Sequence, residues 1–470
     1  MKNNAFVKRF WLNHNSNANI YTQNLKGVED YNQLFACVDT LYKNQSKKNS
    51  QQLYKELYSQ SKLENTIKEF IQEKKMAPGM VLTFGTLKHK DVIIIGNQQE
   101  LDDGGKEWIL PMNRNSIFDL SSVTKIFTCL SILILVEENR LNLSDNIYDL
   151  DNRFVNLKSV TVEDLLTFRI KLKTKARIDT MNSIEKIESL IFNIDLDMQG
   201  GRLYSDMGAM VLKYVIERIT EKDYFSFVKE KILIPCEMKD TNISVENNKY
   251  VVSNNFEKKI NYNCMNCIDD ICRGLVNDEK ARKINQFAVQ LHGHAGIFST
   301  VGDMTKLVES IMQGRLINNQ WIDRMGINCT GSKKQDGTFT QFHGYLSYSK
   351  NPIEENSEVS HWLSGDAFAL GGYTGNQLTI DRRNEVFLFM ASNRCHNRVT
   401  RINSTEVVYE DGCVVWTDGK RYIQNQRYAY DRDTYIVRPA LELALRYRYL
   451  ELLLEQDHID IACNINEKFL

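Results

Sequence analysis

The stretch from Ile126 to Val136, broken only by Thr128 and Ser131, is the longest apolar run in the chain. It constrains the fold more than any other feature. It is too short to cross a bilayer, which takes about 20 apolar residues as a helix. A helix that is hydrophobic all round has to be enclosed by protein on every side. The run therefore predicts a buried core helix in a domain large enough to wrap it. The chain supplies such a domain: 470 residues, 42% hydrophobic and 25% charged, enough for one large domain with insertions or two sharing a cleft. The formal net charge of -1, with no broad basic field and no acidic tail, argues against a nucleic-acid partner.

Around that helix the pattern alternates in a definite order. Residues 1–62 are polar and rich in Asn, Gln and Lys, and read as an N-terminal extension to a domain over 63–470. LENTIKEFIQEKK, from Leu63, has helical spacing and stops before the breaker pair Pro78-Gly79. GMVLTFGT and DVIIIG read as adjacent antiparallel strands. Residues of about 145–300 predict a mostly helical subdomain, with MGAMVLKYVIERITEK, from Met207, as its clearest amphipathic stretch. NQLTID and EVFLFMAS flank Arg382-Arg383-Asn384 like a hairpin, and RPALELALRYRYLELLLEQ reads as a closing helix. Residues of about 396–435 read as an insertion containing a strand pair around Asp411-Gly412. The expected fold class is α+β: an antiparallel sheet flanked by helices plus a mostly helical subdomain, with a cleft between them.

The N-terminal segment MKNNAFVKRFWLNHNSNANIYTQ has no apolar run of the kind an export signal needs. A cytoplasmic location without a membrane partner is expected, with the ten cysteines reduced. Cys264, Cys267 and Cys272 form CMNCIDDIC, half of a zinc-site spacing at best; free thiols in a loop fit better, and no metal is expected. His292, His294 and His396 are expected to be hydrogen-bonded structural histidines.

Ser-x-x-Lys occurs five times, starting at Ser59, Ser122, Ser183, Ser226 and Ser347, but only Ser122 opens the long apolar helix. Ser and Lys three apart share a helix face, and a helix N-terminus offers free N–H groups to a developing oxyanion. Burial there should lower the pKa of Lys125 and make a neutral amine accessible as a base. The alternative at this stage is a capping serine beside a solvated lysine.

The segment FDLSSVTKIFTCLSILILVEENRLNLSDNI, from Phe118, resembles the text around the nucleophile of the β-lactamase-like serine hydrolases, which include class C β-lactamases, penicillin-binding proteins and related carboxylesterases. The resemblance continues in the family's order through TVEDLLTF, RLYSDMGAMVLKYVIERIT, RGLVNDEKAR, GHAGIFSTVGDM, GGYTGNQLTID and SNRCHN. It implies a β-lactamase/transpeptidase-like fold and an acyl-enzyme on Ser122, with Lys125 and Tyr204 moving protons. A nearby Lys125 ammonium would favour the Tyr204 phenolate. The N–H groups of Ser122 and Tyr373 would form the oxyanion hole, and Asp206, Leu370, Gly371 and Gly372 would face the substrate. No cofactor is implied.

Three departures from the family text matter. The second motif reads Tyr204-Ser205-Asp206 where the family usually has Tyr-x-Asn, and an ionised Asp accepts hydrogen bonds but donates none. Asp206 would hold Lys125 charged or favour a cationic substrate group. The third motif reads Leu370-Gly371-Gly372 where β-lactamases carry Lys-Thr-Gly, so the cation that helps hold a substrate carboxylate is absent. Phe168 to Lys171 replace the end of a Leu-Leu-Thr-His-Thr-Ser-Gly stretch, which implies an unusual cleft rim. The resemblance thus implies a serine hydrolase of small esters, amides or short peptides ahead of a β-lactamase. The alternatives are an acyltransferase and a catalytically impaired relative that only binds.

Overall fold

The computed structural model describes residues 63–102, 106–197, 204–245, 248–254, 257–261, 264–268, 273–353, 356–402, 408–410, 413–415, 421–423, 433–448 and 451–452. Among them no helix is long and apolar enough to cross a membrane. The strands that carry the argument are β1 (Gly79–Thr86), β2 (Lys90–Leu101), β3 (Glu107–Pro111), β4 (Ile117–Asp119), β5 (Phe298–Thr300), β6 (Tyr348–Ser349), β7 (Phe368–Gly371), β8 (Gln377–Asp381) and β9 (Val386–Ser392). The helices are α1 (Leu63–Lys68), α2 (Lys125–Glu137), α3 (Val162–Leu166), α4 (Asp206–Thr220), α5 (Glu279–Asn285) and α6 (Val301–Met312).

A seven-stranded antiparallel sheet runs in the order β6-β7-β8-β9-β1-β2-β3. The two hairpins read from the sequence are present, β1 with β2 and β8 with β9. Strands β1 and β9 are buried along their whole length. Their side chains alternate between two cores, as period-two geometry requires. Val81, Phe387, Phe389 and Ala391 join the large core that surrounds α2. Met80, Leu82, Phe84, Leu388 and Met390 pack instead with Leu63 and Ile67 of α1 and with Leu441, Ala444 and Tyr447 of the closing helix over 438–448. This mixed arrangement is the expected α+β class.

Helix α2 is enclosed as its composition demands, with every residue from Lys125 to Leu135 buried. A tight turn of 3-10 helix, Ser121–Thr124, precedes it. The interruption at Thr128 is satisfied: its hydroxyl donates to the Gly293 carbonyl at 2.6 Å and bonds the Tyr224 hydroxyl at 2.8 Å.

The region 145–300 is less uniformly helical than its composition suggests. Its helices are mostly short. It also contains the strand pair Leu172–Lys173 with Asp195–Leu196, and Glu257–Asn261 beside Cys264–Ile268, the former pairing in parallel with Val399–Ile402. In the later segment, Val408–Glu410 pairs antiparallel with Cys413–Val415 across Asp411-Gly412, and Arg421–Ile423 adds a third strand. Residues 1–62 lie outside the described residues, as does Cys272; so do the side chains of Cys264 and Cys267. Among the described residues, Cys129, Cys236 and Cys329 are free thiols.

One buried carboxylate fastens the entry to α2. Asp119 ends β4, which pairs with β5. It accepts the Ser121 N–H at 2.8 Å and the Asn277 N–H at 2.7 Å. Its carbonyl accepts from Thr374 Oγ1 at 2.9 Å and Asn376 Nδ2 at 2.8 Å. The turn before α2 is thereby tied to the turn after β7. Burial pushes Asp119 from the ordinary 3.8 up to about 6, against the two N–H donors that favour its ionised form. The folded chain therefore holds this proton more tightly than the unfolded chain. That stabilisation is complete below pH ~3.8 and is lost as pH rises through ~6, a change of about 3 kcal/mol over the window. Asp119→Asn cannot ionise, so thermal melts of variant and wild type should show their difference moving in the variant's favour between pH 4 and pH 7. A difference that is flat or moves the other way would show that Asp119 titrates normally.

Candidate active site

Lys125 stands at the foot of α2 with 1% of its side chain exposed. Its ammonium donates to Ser122 Oγ at 2.9 Å, to Asp206 Oδ1 at 2.8 Å and to the His294 carbonyl at 3.2 Å. Tyr204 is a further hydrogen-bond partner, so acceptors surround all three donors of a protonated lysine. Burial alone would depress Lys125, as read from the sequence. The Asp206 carboxylate and Tyr204 outweigh it, and the pKa is raised. The expectation of a readily accessible neutral amine is thus corrected: the resting lysine is an ammonium.

Asp206 is the first residue of α4, behind the N-cap Ser205, whose hydroxyl accepts the Met207 N–H. A carboxylate is favoured there by the helix N-terminus. Burial pushes Asp206 up, but Lys125, His294 and Lys280 hold its carboxyl well below the usual range. Lys280, on α5, reaches Asp206 Oδ2 at 3.1 Å and Asp278 Oδ2 at 2.9 Å. Asp278 caps α5, accepting the Ala281 N–H, and meets His294 Nε2 at 3.0 Å. Charges alternate in sign from Lys125 to Asp206, Lys280 and Asp278. His294 is hydrogen-bonded as expected, its ring meeting Asp278, and its carbonyl adds a contact to Lys125. Asp206, Asp278 and His294 offer ligand atoms within 4.8 Å of one another. The two ammonium groups already neutralise these carboxylates, so the donor set does not suit a divalent ion.

Lys280 was not singled out from the sequence. Its only signal was its place inside RGLVNDEKAR. The other two histidines are structural as expected. His292 bonds Asn285 at 2.7 Å, and burial drives its pKa well below the ordinary value. His396 Nε2 accepts the N–H groups of Glu100 and Leu101 at 2.9 and 3.2 Å.

Tyr204 lies beside Lys125, whose Nζ is 5.1 Å from its ring centre. The ring stacks with Phe168 at 5.0 Å and with Tyr348 at 5.9 Å, the latter nearly parallel at 4°. Phe168 follows α3 at φ 55°, a left-handed conformation that helices usually end on with glycine. The Arg169 N–H closes the turn onto the Asp164 carbonyl at 3.1 Å. The departure from the family text at Phe168 thus forms a wall of the tyrosine's niche.

The expectation that Leu370 faces the substrate is corrected: its side chain is buried in the large core at 3% exposure, because alternation along β7 turns it toward the residues around α2, and it brings no charge. Gly371 has open space where a side chain would begin, whereas a Cβ on Gly372 would lie 2.9 Å from the Leu120 carbonyl oxygen. Tyr373 follows, its N–H donating to Ser121 Oγ at 3.1 Å and its hydroxyl to Glu257 at 2.6 Å. Arg398 is buried against Glu100 at 2.9 Å, while Arg394 lies 5.1 Å from the Tyr373 ring centre. The structure therefore gathers Ser122, Lys125, Tyr204 and Asp206 by direct contact. Gly372 and Tyr373 are fastened to the turn that carries Ser122.

A family model described as Beta-lactamase matches residues 63–408. A protein named putative D-alanyl-D-alanine carboxypeptidase, from Escherichia coli (strain K12), is 24% identical over 330 residues, covering 63% of this chain and 73% of its own. An N-acetylmuramyl-L-alanine amidase from Bacillus subtilis (strain 168) is 23% identical over 335 residues, covering 64% and 73%. Among solved structures, an octameric penicillin-binding protein homologue from Pyrococcus abyssi gives a TM-score of 0.52 at 19% identity, over 71% of this chain and 73% of that one. A mutant of the simvastatin synthase LovD from Aspergillus terreus gives 0.55 at 13% identity, over 83% and 97%. The structural likenesses speak for the fold. The family match spans most of the chain, from the sheet through every motif of the site, and this chain belongs to the Beta-lactamase family, a family of serine hydrolases.

Proposed function

We propose that this protein hydrolyses small neutral esters, amides or short peptides through an acyl-enzyme on Ser122. The observation that carries the reading is the 2.9 Å bond from the buried Lys125 ammonium to Ser122 Oγ, at the start of a helix and beside the Tyr204 ring. Ser122 Oγ attacks the acyl carbon as its proton is relayed through the Tyr204 hydroxyl, which takes up the serine proton and passes its own toward the leaving group while the Lys125 ammonium stays protonated. The oxyanion is received by the N–H groups of Ser122 and Tyr373. The carbon–leaving-group bond breaks as the leaving group takes up the proton. Water, activated by the same tyrosine, then adds to the acyl carbon, and Ser122 leaves with its proton restored. An alcohol or amine in place of water would make the same steps an acyl transfer.

Intact-mass labelling with a fluorophosphonate should place one adduct on Ser122, and Ser122→Ala should abolish both that adduct and p-nitrophenyl ester turnover while the fold persists. Tyr204→Phe keeps the ring stacking and removes the proton carrier. Its kcat should fall by roughly two orders of magnitude or more. Adducts on another serine, or near-normal turnover without the Tyr204 hydroxyl, would end this assignment. A folded protein that takes no label would indicate a binding relative.

The preference for neutral substrates follows from charge. Leu370 supplies no cation, and Lys125 and Lys280 are already paired with Asp206 and Asp278. An unpaired carboxylate buried beside them would cost several kcal/mol. The kcat/KM for a neutral ester should therefore exceed that for nitrocefin. Fast wild-type nitrocefin turnover would contradict the charge argument.

A further inference from the structure

We propose that the hydroxyl of Ser121 is a plug built into the oxyanion hole: it holds the Tyr373 N–H in the resting protein and has to rotate away before a substrate carbonyl can take its place. The inference rests on the reading of Ser122 as nucleophile and adds a step to substrate entry.

The Tyr373 N–H donates to Ser121 Oγ at 3.1 Å. A backbone N–H carries a single hydrogen, so it cannot serve this hydroxyl and a developing oxyanion at full strength together. One of the two partners has to move, and Tyr373 is poorly placed to do so. The turn that bears it is closed by Gly372 N–H on the Asn376 carbonyl at 2.8 Å and Gly375 N–H on the Gly372 carbonyl at 2.9 Å. Thr374 and Asn376 bind the Asp119 carbonyl, and the Arg394 N–H binds the Thr374 carbonyl at 3.1 Å. The Tyr373 ring is anchored on Glu257. The Ser121 main chain is fixed as well, by its N–H on Asp119 at 2.8 Å. What remains is the Ser121 side-chain torsion, a rotation about one single bond between staggered positions.

The backbone strengthens the case. Ser121 sits at φ 49°, a left-handed conformation that costs an L-residue energy and that glycine adopts freely. The chain keeps a side chain there, and the hydroxyl of that side chain bonds the group that the acyl oxygen needs. Until displaced, the hydroxyl also keeps water off that N–H. An acyl oxygen enters by accepting the N–H more strongly than a neutral hydroxyl does.

Ser121→Gly removes the plug at a backbone position that suits glycine, so the melting temperature should not fall. The second-order rate of acylation by p-nitrophenyl acetate and by a small fluorophosphonate should rise about two- to tenfold, the worth of one neutral hydrogen bond. The gain should vanish with p-nitrophenyl thionoacetate, whose sulfur is a weak acceptor. Ser121→Ala should give the same selective gain and serves as the second variant. Folded variants that acylate no faster overturn the proposal, and slower ones would mean that the hydroxyl donates to the oxyanion. An equal gain with oxygen and sulfur esters also overturns it, since loosening of the turn would then be the cause. The two readings fail separately. A labelled wild type without the Ser121→Gly gain removes the plug alone, whereas a wild type unlabelled at Ser122 removes the nucleophile and the plug with it.

Discussion

The candidate site depends on the charge of one lysine that is almost wholly out of water. An ammonium in that position costs several kcal/mol unless its surroundings replace its hydration. Here the surroundings replace it: Ser122, the Asp206 carboxylate and the His294 carbonyl accept from the ammonium, and Tyr204 is a further hydrogen-bond partner. The carboxylate is supplied by the first residue of α4, where the end of the helix favours it. It is then shared with Lys280, which is held by Asp278, which meets His294, whose carbonyl returns to Lys125. The path is a closed ring through α2, α4, α5 and the bend that holds His294 before β5. Removing any charged member leaves an opposite charge poorly partnered near Ser122. The ring therefore holds these four elements in register around Ser122.

The parts of this arrangement that were legible in the sequence are those set by local pattern. The apolar run announced a buried helix, and period-two stretches announced β1, β2, β8 and β9. The order of short motifs announced the family. The charge state of Lys125 was not legible from burial, because the sign of a lysine's shift is decided by its partner as much as by desolvation. That partner lies 81 residues away in the chain. Asp206 itself was flagged as a residue able to hold Lys125 charged, and the geometry gives it that contact. Lys280 escaped notice because a charged residue in the first turn of a short helix ordinarily reads as solvated. Its partners come from α4 and from its own N-cap, a convergence that no spacing within RGLVNDEKAR encodes.

Phe168 shows a different limit. Its departure from the family text located an unusual rim, but its contact depends on a left-handed backbone at the end of α3 that sequence pattern does not specify for phenylalanine. That conformation carries the ring onto Tyr204, against which Tyr348 also stacks. The two contacts fix the plane of the ring that the proposed function makes a proton carrier.

These constraints bear jointly on what the cleft can select. The ring of alternating charges is balanced internally, so it offers an incoming anion no unpaired cation, and the half-buried Asp206 carboxylate would oppose one. Leu370 adds no charge to change that balance, and its side chain belongs to the core. What faces the cleft from the third motif is backbone and the open volume beside Gly371. On the proposed function, recognition falls to shape around the acyl group and to how strongly its carbonyl oxygen competes for the N–H groups at the end of β7. On that reading the site discriminates through the reacting carbonyl itself, which is where differences in transition-state binding are felt in the rate.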